Sequence, residues 1–220
     1  MKKKCVLYSV IVIMIITVCF ICILNNKNVG ENACPNIIPS IIEWEAGTGM
    51  FTVQQGNIVI PKKDLETVEP IAKQLQKEYK EVTGVELSIK TGNKFFLHKG
   101  DIYLGISSKK KLQTDGSYLC KIKNHILIES QKKEGLFWGT RSLLQMLVQN
   151  PQEIVRGNIY DYPQYKIRGI GIDVARHPMS ADSLKILIQV MSYYKMNDLH
   201  LHLNDNELLC YSNKLESLEQ

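Results

Sequence analysis

Cysteine is scarce in this chain beyond its first 24 residues, where Cys34, Cys120 and Cys210 are the only ones. Three scattered thiols with no Cys-x-x-Cys pair among them exclude a disulfide framework and a cysteine-based metal cluster, and allow at most one disulfide. The glycine-rich phosphate loop and the Gly-x-Ser-x-Gly turn of serine hydrolases are also absent. The sequence therefore lacks the patterns typical of disulfide-rich secreted scaffolds, phosphate-loop proteins and serine esterases.

A strong excess of charge of one sign is missing as well. The net charge is +5, and three of those charges come from Lys2, Lys3 and Lys4. The run Lys109-Lys110-Lys111 is expected to form a solvated loop. Binding of nucleic acid needs a concentrated basic surface, which this distribution does not indicate. We therefore expect no nucleic-acid partner.

A long apolar run is present at the N-terminus. Val6–Leu24 contains 19 residues without a charge, and three lysines precede it. A membrane-spanning helix needs about 20 residues, whereas the apolar part of a secretory signal has about 7–15. Residues 1–24 are therefore predicted to be a hydrophobic helix, either a signal anchor in the membrane through residues 6–24 or a cleaved signal peptide. The lysines keep their end cytoplasmic, so the rest would be on the extracellular face, anchored or secreted.

Residues 25–40 are predicted to be a linker, and residues 41–163 an α+β domain. Apolar residues at helical spacing predict a first helix over residues 65–82, with Asp64 as its N-cap and Gly84 as its terminator. A second helix is expected over Gly135–Leu147, where Phe137 and Trp138 are interpreted as core residues and not as a sugar-stacking platform. Strands are predicted at residues 50–53, 57–60, 86–90, 101–106, 118–122 and 125–129, forming one largely antiparallel sheet under the two helices.

Residues 164–220 show a strand, helix, strand pattern. Ile167–Val174 is predicted to be a strand buried on both faces, a helix follows over residues 184–194, and Leu199–Leu203 is the next strand. Two strands joined by a helix within about 40 residues indicate a parallel βαβ unit. This unit is a separate segment that begins after the boundary at residues 159–163.

Polar side chains follow each of these two strands. Asp173 and Arg176 come after the first strand, and Asp205 and Glu207 after the second. The carboxyl ends of parallel strands are where ligand groups gather, and an arginine with a carboxylate can hold vicinal hydroxyls. The same two residues could equally form a structural ion pair, and spacing alone leaves both interpretations open.

Histidines in this segment do not indicate a metal. His200 and His202 would face the same side of a strand, but a zinc site needs a third or fourth ligand, and none is evident nearby. His177 is expected to order the loop after the first strand by hydrogen bonds. We predict no metal and no cofactor.

These motifs together resemble glycoside hydrolase family 20, the β-N-acetylhexosaminidases. The resemblance is carried by Arg168-Gly169, Asp173–His177, Tyr194–Asn197 and His200–Asp205, and the preceding Gly135–Leu147 resembles the end of the domain that precedes the family's barrel. It covers roughly residues 40–205, and it implies an α+β domain followed by the start of a (β/α)8 TIM barrel.

The resemblance also implies an activity and a set of site residues. The family removes terminal N-acetylhexosamine from glycans with retention of configuration, using the substrate's acetamido oxygen as nucleophile, an exception to the usual two-carboxylate scheme. Arg176 matches the arginine that binds the sugar's hydroxyls, and Asp205 matches an aspartate that supports the site. Possible supporting residues are Asp173, His177, His202 and Glu207, although Glu207 has no secure family counterpart.

The chain departs from the family in its catalytic pair. The acid and the acetamide-orienting residue are an adjacent Asp-Glu pair on a later strand, expected beyond Gln220, and no Asp-Glu dipeptide occurs in the 220 residues. A full barrel takes about 250 residues. We therefore expect a truncated, inactive hexosaminidase, with a non-catalytic, membrane-tethered glycan-binding or interaction module as the alternative.

Overall fold

The computed structural model describes Met14 and residues 31–204. Outside the described residues lie residues 1–24 apart from Met14, residues 25–30 of the predicted linker, and Asp205 and Glu207. In the described part of the chain, no helix has the length and apolarity that crossing a membrane requires.

A seven-stranded sheet forms the centre of the larger domain. Its strands are β1 (Glu43–Thr52), β2 (Asn57–Ile60), β3 (Ser88–Thr91), β4 (Ile102–Ile106), β5 (Tyr118–Ile122), β6 (Ile126–Ser130) and β7 (Glu153–Asp161). They lie side by side in the order β1-β7-β5-β6-β4-β2-β3. The pairs among β3, β2, β4 and β6 are parallel, and those among β6, β5, β7 and β1 are antiparallel.

The expectation of a largely antiparallel sheet is therefore wrong. The helix between β2 and β3 carries the chain back to the starting edge of the sheet, so these two strands run parallel. The predicted hairpin at Lys123-Asn124 is confirmed, since β5 and β6 pair antiparallel through Ile122 and Ile126. β7 was not predicted, and β1 is longer than the predicted strand at residues 50–53.

Two helices cover one face of this sheet, namely α1 (Leu65–Thr83) and α2 (Lys133–Gln149). Gly84 ends α1 with φ of 75°, a conformation that glycine adopts without a steric penalty. Asp64 does stand at the N-cap, but its side chain makes no cap hydrogen bond. Its carboxylate accepts a hydrogen bond from the Ile106 amide at 3.1 Å, so it ties the helix start to the end of β4.

The core lies between the sheet and the two helices. Side chains that are fully or almost fully buried there include Ile58, Ile60, Ile102, Leu104 and Ile128 from the strands, and Val68, Leu75, Tyr79, Leu143 and Leu147 from the helices. Trp138 is half-buried and packs against this core. Most of the stabilisation comes from this apolar burial, which is worth about 25 cal/mol per Å².

The predicted βαβ unit is present as β8 (Gly169–Asp173), α3 (Ala181–Tyr193) and β9 (Asp198–His202). β8 and β9 are parallel, and the Ser180 side chain caps α3 by accepting a hydrogen bond from the Ser183 amide. The prediction that β8 is buried on both faces is wrong for the described residues. Its first three residues are exposed, because within residues 31–204 β9 is the strand that pairs with it.

Candidate functional site

Asp173 and Arg176 form a tight turn at the carboxyl end of β8. Asp173 Oδ1 accepts hydrogen bonds from the amides of Ala175 at 3.1 Å and Arg176 at 2.9 Å. Its other oxygen lies 3.5 Å from Arg176 Nε. One carboxylate thus shapes the backbone of the turn and also orients the guanidinium, which is exposed to solvent over most of its surface.

The neighbouring strand β9 also holds this turn through backbone hydrogen bonds. Asp173 pairs in register with His202, and the amides of Val174 and Ala175 both donate to the His202 carbonyl, at 3.1 and 3.2 Å. The backbone of β9 therefore holds the turn that carries Arg176. His202 contributes through its carbonyl group, while its imidazole is exposed.

This arrangement makes the two interpretations of the Asp173–Arg176 pair compatible. The pair is a structural ion pair, and it also presents a charged fork at the edge where parallel strands place their ligand groups. His177 is exposed beside it. Asp205 and Glu207 are outside the described residues, so their predicted positions stay predictions. Among the described residues there is no cluster of three or more potential metal ligands.

Sequence reasoning missed a buried polar cluster where the βαβ unit meets the larger domain. Lys195 follows α3, and its ammonium group donates to Asp161 Oδ2 at 2.9 Å and to the Tyr118 hydroxyl at 3.0 Å. Tyr118 in turn donates to Asp161 at 2.7 Å, and the Ser142 hydroxyl lies 2.5 Å from the Tyr118 oxygen. Lys195, Asp161 and Tyr118 are all buried.

Electrostatics and backbone geometry mark Lys195 as a constrained residue. Burial lowers the pKa of its ammonium group, and the nearby Asp161 carboxylate opposes that shift. Burial also raises the pKa of Tyr118 well above its usual value, with the Asp161 charge acting in the same direction. Lys195 has φ of 59°, a conformation that costs a non-glycine residue of order 1–3 kcal/mol and persists only where the surrounding structure offsets that cost. Gly84 shows that a glycine can indicate a positive φ in advance, whereas a lysine such as Lys195 gives no such indication.

Two residues of the motifs noted in the sequence have structural roles at this junction. Arg168 Nε donates to the Lys195 carbonyl at 2.7 Å, and its guanidinium lies 5.4 Å from the centre of the Trp138 ring. The side chain of Asn197 accepts from the Arg168 amide at 2.8 Å and donates to the Lys166 carbonyl at 2.9 Å. Arg168 and Asn197 therefore align the starts of β8 and β9.

A cavity of about 430 Å³ opens at the same junction. Its wall combines the rings of Trp138, Tyr162 and Tyr194 with the charged groups of Arg168 and Lys195. It adjoins the amino ends of β8 and β9, whereas the Asp173–Arg176 turn lies at their carboxyl ends. In a parallel α/β unit the amino ends serve stability and the carboxyl ends serve chemistry. The cavity is therefore separate from the candidate sugar site.

Two family models match the chain in succession. Residues 34–162 match "Glycosyl hydrolase family 20, domain 2", and residues 165–213 match "Glycosyl hydrolase family 20, catalytic domain". Among curated proteins, the chain is 29% identical over 184 residues to the N,N'-diacetylchitobiase of Vibrio harveyi, covering 80% of this chain and 19% of that protein. It is 28% identical over 185 residues to a β-hexosaminidase of Porphyromonas gingivalis, covering 78% and 23%.

Solved structures agree with these matches. The exo-β-N-acetylglucosaminidase of Vibrio harveyi in complex with N-acetylglucosamine superposes with a TM-score of 0.63 at 25% identity, covering 81% of this chain and 27% of that one. The β-N-acetylhexosaminidase of Streptomyces coelicolor gives 0.62 at 25% identity, covering 77% and 35%. The chain thus spans about a fifth of the length of the two curated relatives, at 19% and 23%. Because the domain 2 model alone accounts for more than half of its residues, this chain belongs to glycosyl hydrolase family 20.

Proposed function

We propose that the protein carrying these residues is a β-N-acetylhexosaminidase that removes terminal N-acetylhexosamine from glycans. The observation that supports this most strongly is the succession of two family 20 domains in one chain, at residues 34–162 and 165–213. The relatives named above are hexosaminidases or a chitobiase, and one neighbouring structure holds N-acetylglucosamine. The Asp173–Arg176 turn supports it too, because it presents a guanidinium at the carboxyl end of β8, where the proposed sugar site would lie.

In the proposed reaction the substrate provides its own nucleophile. The acetamido oxygen at carbon 2 attacks the anomeric carbon, and a carboxylic acid protonates the departing glycosidic oxygen. Water then opens the resulting oxazolinium ring, so the product keeps the β configuration. The role proposed for Arg176 is to hold the hydroxyls of the terminal sugar by charge-assisted hydrogen bonds, with Asp173 fixing the direction of its guanidinium.

The 220 residues on their own are proposed to be inactive. The family's acid and acetamide-orienting residue form an adjacent Asp-Glu pair, and that dipeptide occurs nowhere in these residues. The role proposed for Arg176 and Asp173 is to bind and orient the sugar, which leaves the roles of the acid and of the acetamide-orienting residue unfilled. Hydrolysis of 4-nitrophenyl N-acetyl-β-glucosaminide by the purified chain, above the buffer rate, would contradict this proposal.

The test of the activity uses the complete reading frame of the gene, expressed beside the 220-residue chain. We expect the complete product to hydrolyse the N-acetylglucosaminide and to ignore the matching glucoside, which lacks the acetamido group. Replacing Arg176 with alanine should lower kcat/KM roughly tenfold to a hundredfold, since a hydrogen bond to a charged group contributes about 1.5–3 kcal/mol. Lys185→Met, on the surface of α3, is the matched control and should leave kcat/KM unchanged. Equal rates on the glucoside would refute the proposed mechanism.

A non-catalytic, tethered glycan-binding module is the second candidate. It is favoured by the continuous core of the larger domain, which is formed almost entirely by residues between Ile37 and Ile159. Calorimetric titration of the 220-residue chain with N,N'-diacetylchitobiose tests whether this module binds glycans without catalysis. Measurable affinity that Arg176→Ala abolishes would favour a residual sugar site, and absence of heat would remove the module as a glycan binder.

Export of the protein is likewise proposed from the sequence, on the basis of three lysines that precede a largely apolar run of 19 residues without a charge. The protein would then lie on the extracellular face of the membrane, anchored or secreted. Digestion of intact cells by an added protease measures this directly. Loss of the domain without lysis of the cells is the expected result, and full protection would overturn the proposal.

A further inference from the structure

Two phenylalanines project from the larger domain. Phe95 and Phe96 lie on a short 3-10 helix, Lys94–Phe96, and each is 79% exposed. The helix is well defined, because the Asn93 side chain accepts a hydrogen bond from the Phe95 amide at 3.1 Å and the Asn93 carbonyl accepts one from the Phe96 amide at 3.1 Å. Two adjacent apolar rings in water are costly, so this exposure calls for a function.

Lysines lie beside the Phe95 ring. A pocket of about 440 Å³ beside Phe95 is lined by Lys62, Lys63 and Lys94, and Lys99 is exposed a few residues further along the chain. Lys94 Nζ lies 5.9 Å from the centre of the Phe95 ring. We name Phe95, Phe96, Lys62, Lys63, Lys94 and Lys99 together the Phe-Lys patch.

The carboxylate that lines this pocket does not cancel the positive charge. Glu129 is 2% exposed, and it accepts a hydrogen bond from Lys94 at 2.8 Å and another from Lys109. These lysines lower the pKa of Glu129, although burial alone would raise it. One buried carboxylate therefore balances one of its two lysine partners, and Lys62 and Lys63 remain exposed to solvent at the rim.

We propose that the Phe-Lys patch docks the domain onto an anionic lipid surface. Phenylalanine rings that project from a short helix can enter the boundary between headgroups and acyl chains, and lysines around them attract anionic headgroups. An acidic glycan is the competing ligand, but its hydroxyls need hydrogen-bonding side chains around a stacking ring. Such side chains, namely Asn93, Ser107 and Ser108, lie beside Phe95 only, because Phe96 does not line the pocket. Both rings are 79% exposed and offer apolar surface alone, which favours a lipid surface.

The strength of membrane binding is the sum of a contribution from the lysines and one from the phenylalanine rings. Each lysine near an anionic surface changes the partition coefficient about fivefold. Burying one phenylalanine ring changes it by about tenfold or more. Because surface charges are screened over about 10 Å at 0.1 M ionic strength, docking should weaken steeply as salt is added.

The experiment uses residues 25–220 carrying Phe95→Trp, which makes the patch itself the reporter and leaves out the apolar run of residues 6–24, which would insert into any bilayer. These residues keep the whole core, which lies between Ile37 and Ile159. Vesicles of phosphatidylglycerol or of phosphatidylcholine, each containing brominated acyl chains, quench a tryptophan that enters the bilayer. Val148→Trp is the matched control, because Val148 is 53% exposed near the end of α2 and does not belong to the Phe-Lys patch. The unsubstituted chain corrects for Trp44 and Trp138.

We expect quenching of Trp at position 95 by phosphatidylglycerol vesicles, little by phosphatidylcholine, and none at position 148. Adding Lys62→Ser and Lys63→Ser to Phe95→Trp should raise the lipid concentration for half-maximal quenching by roughly 25-fold, at about fivefold for each lysine. Equal quenching at positions 95 and 148 would show unspecific adsorption and overturn the proposal. The absence of quenching at position 95 would overturn the proposal as well. So would a change in the fluorescence of the tryptophan at position 95 on adding soluble polygalacturonate when vesicles cause none.

Discussion

Replacing Lys195 with methionine removes the ammonium group that balances Asp161 inside the protein. The methionine side chain has a similar length, so the change mainly deletes the charge and its two hydrogen bonds, at 2.9 Å to Asp161 and 3.0 Å to Tyr118. Side chains 195 and 161 are only 7% and 9% exposed, so water is a poor substitute for the lost partner. The remaining carboxylate is then both buried and uncompensated.

The expected cost follows from that isolation. Breaking a buried ion pair by removing one partner destabilises proteins by about 3–5 kcal/mol. We expect Lys195→Met to lower the free energy of unfolding at pH 7 by about this amount. Adding Asp161→Asn to Lys195→Met should recover part of the loss, because the second change removes the unpaired charge. The control is Lys185→Met, whose exposed ion pair with Asp182 contributes less than about 1 kcal/mol.

Urea unfolding followed by tryptophan fluorescence measures these values. Trp138 lies beside Arg168 at the same junction, so its emission reports on the region that Lys195 holds together. A cost below about 1 kcal/mol for Lys195→Met would refute the reasoning. So would strictly additive effects of the changes at positions 195 and 161, because additivity means that the two groups do not interact.

Two further predictions concern the larger domain. Asp101→Asn should cost about 1–3 kcal/mol at neutral pH, because the carboxylate accepts hydrogen bonds from the Asn57 and His98 amides. Burial tends to raise the pKa of Asp101, but these hydrogen bonds outweigh burial and lower the pKa. The carboxylate therefore stabilises the fold above a pH of about 4, and this contribution is lost as the pH falls further. Acid titration of the unfolding free energy should show the loss in the natural chain and not in the variant. Gly157→Ala should lower the free energy of unfolding by about 1–3 kcal/mol, and with it the thermal midpoint, because a Cβ there would lie 2.1 Å from the Trp44 ring. The hydrogen bond from Trp44 to the Asn32 carbonyl holds this ring in place. An unchanged midpoint would contradict this prediction.

Periodicity was enough to predict the helices and several strands. The apolar spacing around Val68, Ala72 and Leu75 predicts α1 because all three side chains face the same core. β7 was not predicted because its buried positions include Gly157 and Asp161, so its sequence lacks the regular apolar alternation of a strand with one buried face. The parallel pairing of β2 and β3 was predictable but missed, because the strand, helix, strand order that indicates the β8-α3-β9 unit is also present in β2, α1 and β3.

The candidate site was predicted in a similarly uneven way. The turn at Asp173 and Arg176 follows from the order of local residues, so it was predictable. Lys195, by contrast, is a lysine after an amphipathic helix, and sequence alone favours a solvated position for such a residue. Its partners Tyr118 and Asp161 lie far away along the chain and meet it only through the tertiary fold.

The position of β1 in the sheet sets an order of events during synthesis. β1 pairs with β7, and the two strands are separated by roughly a hundred residues of chain. β1, the first strand of the sheet to leave the ribosome, therefore cannot pair until β7, the last strand of the sheet, has been synthesised. Until Glu153–Asp161 emerges, the ladder of β1 lacks its partner, and a nascent chain in that state presents an open edge to chaperones and to other nascent chains.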